Sequence, residues 1–194
     1  MNYKNNRLIT YLRFLTMIDS KKDYRNYIVS DRKANGINYK GFIGKIKYLC
    51  RILYDRRYLY IEYLRKEEYY SNTKAKLYNP LFYAFVKYRR QRLGEILGFT
   101  ISKNCLGKGV RLAHYGSIII NGKAKVGDNC VIHGCVNIAK NVIIGNNVYI
   151  GPGAKILPDV TIADNIKIGA NSVVTKSFLD QGVTIIGVPA KVIK

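Results

Sequence analysis

The chain holds two histidines, His114 and His133, among its 194 residues. A histidine side chain ordinarily titrates near neutral pH, so its neutral ring can take the proton of a hydroxyl group. His114 lies in Ala113-His114-Tyr115-Gly116-Ser117 and is the candidate general base, for a reason found in the spacing around it. His133 is a candidate for the lesser role of positioning a substrate. Two histidines are too few for a three-histidine zinc centre. Cys50, Cys105, Cys130 and Cys135 also lack the spacing of metal ligands, so no metal is expected and the thiols read as free and buried.

The surrounding pattern is a repeat of six. From Val126 every sixth residue is aliphatic: Ile132, Ile138, Ile144, Ile150, Ile156, Ile162, Ile168 and Val174. A helix repeats its apolar face at about 3.6 residues and a strand at about 2, so neither fits. A fixed short period is the mark of a β-solenoid. Three residues after each anchor stand Asn129, Cys135, Asn141, Asn147, Gly153, Asp159, Asn165 and Asn171, mostly types that tolerate a left-handed corner. One residue further on comes a second inward row of small or aliphatic residues, Cys130 among them. Each repeat is then one short strand and one corner, and three repeats close a triangular coil that needs its neighbours for stability. Upstream, Leu106 and Leu112 are six apart, but Leu112 and Ile120 are eight apart. Two extra residues therefore leave the coil within 113–117, and insertions in solenoids often carry function. That break singles out His114.

The first half of the chain reads differently. Residues 1–98 hold 22 Lys and Arg against 8 Asp and Glu, with 15 of the 17 tyrosines; residues 99–194 hold 11 against 4. The shift predicts an α+β protein of two domains, a basic, tyrosine-rich helical one over 1–98 and the β-helix over 99–194. Residues 8–18 predict a short amphipathic helix, and Asp19 to Asn38 has weaker helical potential. Gly41 to Tyr70 is the clearest helix, with apolar residues at three- and four-residue steps. Asn79-Pro80 caps and opens another that Gly98 stops. The basic surface has two readings: solvated helix faces packing between subunits, or peripheral contact with an anionic membrane or glycolipid. No nucleic-acid motif accompanies the charge, so no nucleic-acid partner is expected. With no 18-residue apolar run and no signal-peptide pattern, the expected location is cytoplasmic, with any membrane association on the cytoplasmic face.

The repeat resembles the left-handed parallel β-helix of the hexapeptide acyltransferases. Handedness is an implication of that resemblance, since parallel crossovers are ordinarily right-handed. Leu112-Ala-His-Tyr-Gly-Ser-Ile-Ile-Ile-Asn-Gly resembles the serine O-acetyltransferase segment whose histidine deprotonates the acceptor hydroxyl. Cys130-Val-Ile-His-Gly-Cys-Val-Asn-Ile resembles the next coil of that family. Ile150-Gly-Pro-Gly-Ala-Lys-Ile-Leu and Ile168-Gly-Ala-Asn-Ser-Val-Val-Thr-Lys resemble its coenzyme A coils, and Gly187-Val-Pro-Ala-Lys its closing motif. The resemblance implies acetyl-CoA as donor, a homotrimer, and active sites between neighbouring β-helices. By position it makes His114 the base and lines the pantetheine with Pro152, Gly153 and Ala170. Thr175, Lys176, Lys191 and Lys194 would meet the nucleotide end, where phosphates call for cations.

The departures bear on the acceptor. The family's Asp before the histidine is Ala113 here, and its acid on the first coil aligns with Thr100. Its Gly-rich loop with a second histidine and an arginine is missing, because Asn137-Ile-Ala-Lys-Asn runs straight on. Those groups hold serine or orient the base. Their absence predicts an open groove beside Tyr115, Asn121, His133 and Asn137, suited to a sugar. The expected function is thus acetyl transfer from acetyl-CoA to a sugar hydroxyl of capsule or lipopolysaccharide. The alternatives are a serine O-acetyltransferase, with Asp19, Asp23 or Asp31 supplying the missing acid, and a non-catalytic β-helix that binds a partner. A γ-type carbonic anhydrase is excluded by the histidine count.

Overall fold

The computed structural model describes residues 17–37 and 41–193, so the helix expected over residues 8–18 lies almost wholly outside the described residues. Among the described residues five helices precede the coil: α1 (Lys21–Ala34), α2 (Gly41–Tyr54), α3 (Arg56–Asn72), α4 (Ala75–Tyr78) and α5 (Pro80–Leu97). Ser20 starts α1 by accepting the Asp23 N–H at 3.1 Å. The single helix expected over 41–70 is two. The Asp55 carboxylate accepts the Arg57 N–H at 3.2 Å and begins α3 afresh, as a capping acid does. Asn79 caps α5 with Pro80 in its first turn, and Gly98 ends it at φ 77°.

The coil is a parallel β-solenoid of three sheets, in the form of a left-handed β-helix. One sheet stacks β1 (Phe99–Ile101), β3 (Ile118–Ile120), β6 (Val136–Ile138), β9 (Lys155–Ile156) and β12 (Val173–Val174). A second holds β4 (Lys125–Val126), β7 (Ile143–Ile144) and β10 (Thr161–Ile162). The third holds β2 (Arg111–Leu112), β5 (Val131–Ile132), β8 (Tyr149–Ile150) and β11 (Lys167–Ile168), closed by the hairpin of β13 (Thr184–Gly187) and β14 (Ala190–Val192). Every third anchor stacks: Val126 on Ile144 on Ile162, Ile132 on Ile150 on Ile168, Ile138 on Ile156 on Val174. All nine are at most 3% exposed. All eight expected corner residues, Cys135 included, have φ between 54° and 76°. The insertion is visible in the register, since Leu112 pairs with Ile132, 20 residues on, whereas Ile120 pairs with Ile138, 18 residues on.

Helices and coil share one core, in which Tyr60, Ile61 and Leu64 of α3 meet Phe99, Leu106 and Val110. A buried ion cluster joins them. Arg65 donates from Nε to Asp31 at 2.9 Å, from Nη1 to Glu68 at 3.0 Å and the Leu106 carbonyl at 2.8 Å, and from Nη2 to the Gly107 carbonyl. Asp31 and Glu68 in turn accept the backbone N–H groups of Val110 and Asn104. The cysteines depart from expectation. Cys105 and Cys130 are buried, the latter thiol pushed up to about 12 by burial, but Cys50 and Cys135 are exposed; all four are free.

Arg65→Ala would leave two acids buried beside no cation. It should destabilise the protein by about 3–5 kcal/mol, the usual cost of breaking a buried pair from one side. Urea unfolding followed by circular dichroism checks this; an unchanged midpoint would show that the cluster contributes no stability.

Candidate active site

The loop 113–117 leaves the coil between β2 and β3 and lies on the corner that follows β5. That corner turns at Cys135 and carries Gly134, where a β-carbon would stand 2.8 Å from the Tyr115 carbonyl oxygen and 3.8 Å from the His114 Cβ. The absent side chain at Gly134 is what lets the loop sit there. Ala113 is buried, while His114 and Tyr115 are exposed. The His114 ring centroid is 5.1 Å from that of His133, which is 4.9 Å from that of Tyr149. The three rings form a short row along the coil. Burial holds the His133 ring below the ordinary histidine range, and the like charges of His114 and Arg111 push the same way. His133 therefore favours its neutral form.

Three of the expected cofactor residues lie on the same edge. Gly153 N–H donates to the Gly134 carbonyl at 3.0 Å, and Asn171 N–H to the Pro152 carbonyl at 2.8 Å. Pro152, Gly153 and Ala170 thus occupy successive coils in register with the corner beside His133, with Pro152 and Ala170 exposed. A β-carbon on Gly151 would stand 2.8 Å from the Ala170 nitrogen, so this edge admits little side-chain bulk. Thr175, Lys176 and Lys191 are exposed; Lys176 follows β12, with its Nζ 5.8 Å from the Phe178 ring centroid, and Lys191 is on the closing hairpin. Lys194 lies outside the described residues.

The expected acceptor residues divide into two places. Tyr115 and His133 flank His114. Asn121 and Asn137 instead line a groove of about 570 Å³ on the outer face of the β1–β3–β6–β9 sheet, with Thr100, Ile119, Lys155 and Leu157. The acids suggested as partners for the site differ in place too. Asp31 is fully buried and committed to Arg65, while Asp19 and Asp23 sit at the start of α1 with Ser20. The acid that comes near is Asp55. Its partner Arg57 donates to the Ala113 carbonyl, next to His114. Reading 41–70 as one helix concealed this pair, although an Asp ahead of a fresh run of Arg and Tyr is itself a cap signal. Tyr149 was legible as one of only two tyrosines in the coil.

Among the described residues no group of three His, Cys, Asp or Glu could hold a metal ion. None of their helices is long and apolar enough to cross a membrane.

Comparison with known proteins first gives a class. Residues 141–176 match the bacterial transferase hexapeptide family of six repeats. No curated protein matches the chain. Among solved structures, serine acetyltransferase of Neisseria gonorrhoeae is similar at TM-score 0.65 and 26% identity, over 95% of this chain and 72% of that one. Serine acetyltransferase of Brucella abortus gives 0.66 and 26%, over 95% and 73%. Its complex with coenzyme A gives 0.62 and 25%, over 95% and 72%. The chain is thus a hexapeptide-repeat protein with the acetyltransferase fold, resembling serine O-acetyltransferases through its helices as well as its coil.

His133 should titrate below about 6.5, the ordinary value of a histidine. Its ring stays neutral until the pH falls below that value, and removing the His114 charge should raise its midpoint. Two-dimensional NMR of the histidine rings in the native protein and in His114→Ala reads both. A His133 midpoint unchanged by the substitution would mean that the rings do not sense each other.

Proposed function

We propose that the protein is an acetyl-CoA-dependent O-acetyltransferase with His114 as general base. One observation carries this reading. The exposed histidine on the single insertion of the coil stands on the same edge as Pro152, Gly153 and Ala170, the positions that would border a pantetheine arm. The coenzyme A complex of a similar protein supports acetyl-CoA as the donor. In the step proposed, the neutral His114 ring takes the acceptor's hydroxyl proton as the oxygen attacks the thioester carbon. A carbon–oxygen bond forms and the carbon–sulfur bond breaks. The proton then passes from the imidazolium to the departing thiolate, so the base is restored.

For the acceptor, serine comes ahead of the sugar expected from sequence. The similar structures, alike across both helices and coil, are serine acetyltransferases. The sugar reading is favoured by a different observation: Ala113 and Thr100 carry no charge, and the Asn121–Asn137 groove lies open on the neighbouring face. A zwitterionic amino acid calls for fixed charges, whereas a sugar calls for amide and hydroxyl partners.

Transfer from acetyl-CoA should be assayed in parallel against serine, nucleotide sugars and oligosaccharides, by release of coenzyme A and by mass of the product. O-acetylserine is the expected product. Transfer to a glycan with none to serine would reverse the order of the two acceptors. His114→Ala should lower kcat by about 10²–10⁴-fold, the usual worth of a general base. The KM for acetyl-CoA should change little, because the donor positions lie on other coils. Near-normal turnover in this variant would remove His114 from the role.

A further inference from the structure

The segment carrying His114 is held from both flanks by the junction of α2 and α3. On one flank Arg57 Nη1 donates to the Ala113 carbonyl oxygen. On the other, the Tyr115 hydroxyl donates to the Tyr54 carbonyl at 3.2 Å, and the Arg57 guanidinium lies over the Tyr115 ring at 5.2 Å from its centroid. Arg57 is itself fixed. Its Nε and Nη2 donate to the two oxygens of Asp55 at 2.8 Å each, a bidentate pairing that sets the plane of the guanidinium. Asp55 is fixed in turn as the cap of α3, through the Arg57 N–H. Arg51 adds a weaker contact to Asp55 at 3.4 Å.

We infer that Arg57, held by Asp55, is a positioning residue for His114. A carboxylate just before a catalytic histidine could orient its ring through side-chain contact. Ala113 cannot, and here the main chain is gripped instead. The peptide leading into His114 and the side chain of the following residue are both tied to one guanidinium, so the loop has little freedom to swing the ring away from the coil edge. Misplacing a reacting group by about 1 Å can cost about 10²-fold in rate, which is the scale on which such a grip matters. The inference rests on His114 being the base, and the test separates the two.

Histidine-ring NMR of the native protein, with His114→Ala assigning the signal, gives a readout that needs no acceptor. In Arg57→Ala the His114 signal should broaden or move toward that of an unstructured histidine, while the amide signals of the coil stay in place. If transfer is observed, kcat should fall by about 10²-fold with the KM for acetyl-CoA within about twofold. Arg57→Lys should recover part of the loss, because an ammonium can reach the Ala113 carbonyl but cannot make the bidentate pairing. Should Arg57→Ala fail to fold, Asp55→Asn keeps a capping oxygen, removes the charge that fixes Arg57, and should give the same change in smaller measure. A His114 signal and a kcat both unmoved in these variants would overturn the inference. A native protein without any transfer activity would instead overturn the functional reading, leaving the NMR comparison to decide the role of Arg57.

Discussion

The fold depends on a corner every six residues. Each triangular coil turns where a residue enters the left-handed backbone region, which costs an ordinary L-residue roughly 1–2 kcal/mol and an Asn or Asp less. Seven of the eight corners in the regular repeat are Asn, Asp or Gly. Amide ladders run between stacked corners, as from Asn147 Nδ2 to Asn165 Oδ1 at 3.2 Å. The corners keep the strands short, aim two residues of each repeat inward, and stack equivalent positions above one another. Gly134, Pro152 and Ala170 therefore share one edge although they are far apart in sequence. A continuous edge of small residues is a consequence of that stacking rather than a separate construction.

The helices contribute the parts that a repeat cannot. The coil begins at Phe99 with one end open, and α3 lies against its first turns with Tyr60, Ile61 and Leu64 in the common core. The Arg65 cluster fixes that docking by joining α1 and α3 to the backbone of residues 104–110. Such a cluster is weak as a source of net stability but demanding in geometry. With the docking set, the N-terminus of α3 faces the loop 113–117, where Asp55 and Arg57 meet it. The surroundings of His114 thus draw on both halves of the chain: the coil supplies the edge, and the helical half supplies the contacts of Arg57 and Tyr54.

The coil was legible in the sequence because its signal is periodic and local. Anchors, corners and the eight-residue break between Leu112 and Ile120 each follow from residue type at a fixed spacing. The helices were legible only in part. The helical spacing of apolar residues keeps its phase across Asp55, from Leu53 to Tyr60, so the pattern alone joined what the cap divides. The least legible features were contacts made at long range. Nothing local says that Asp31 is buried against Arg65, that Arg57 reaches Ala113, or that Asn121 and Asn137 face a different side from Tyr115. Those follow from how the helices dock, which is settled by packing and not by spacing. The uncharged residues at Ala113 and Thr100 left open what would orient His114, and the contact of Arg57 with the Ala113 carbonyl comes from the other half of the chain.

In the proposed function the His114 edge receives the donor thioester. The most direct measurement is a crystal structure of the protein grown with coenzyme A. The pantetheine arm is expected to run along the edge of Ala170, Pro152 and Gly134, with its sulfur beside the His114 ring. A coenzyme A bound with its sulfur on another face of the coil, or no binding at concentrations well above those that saturate serine acetyltransferases, would contradict it.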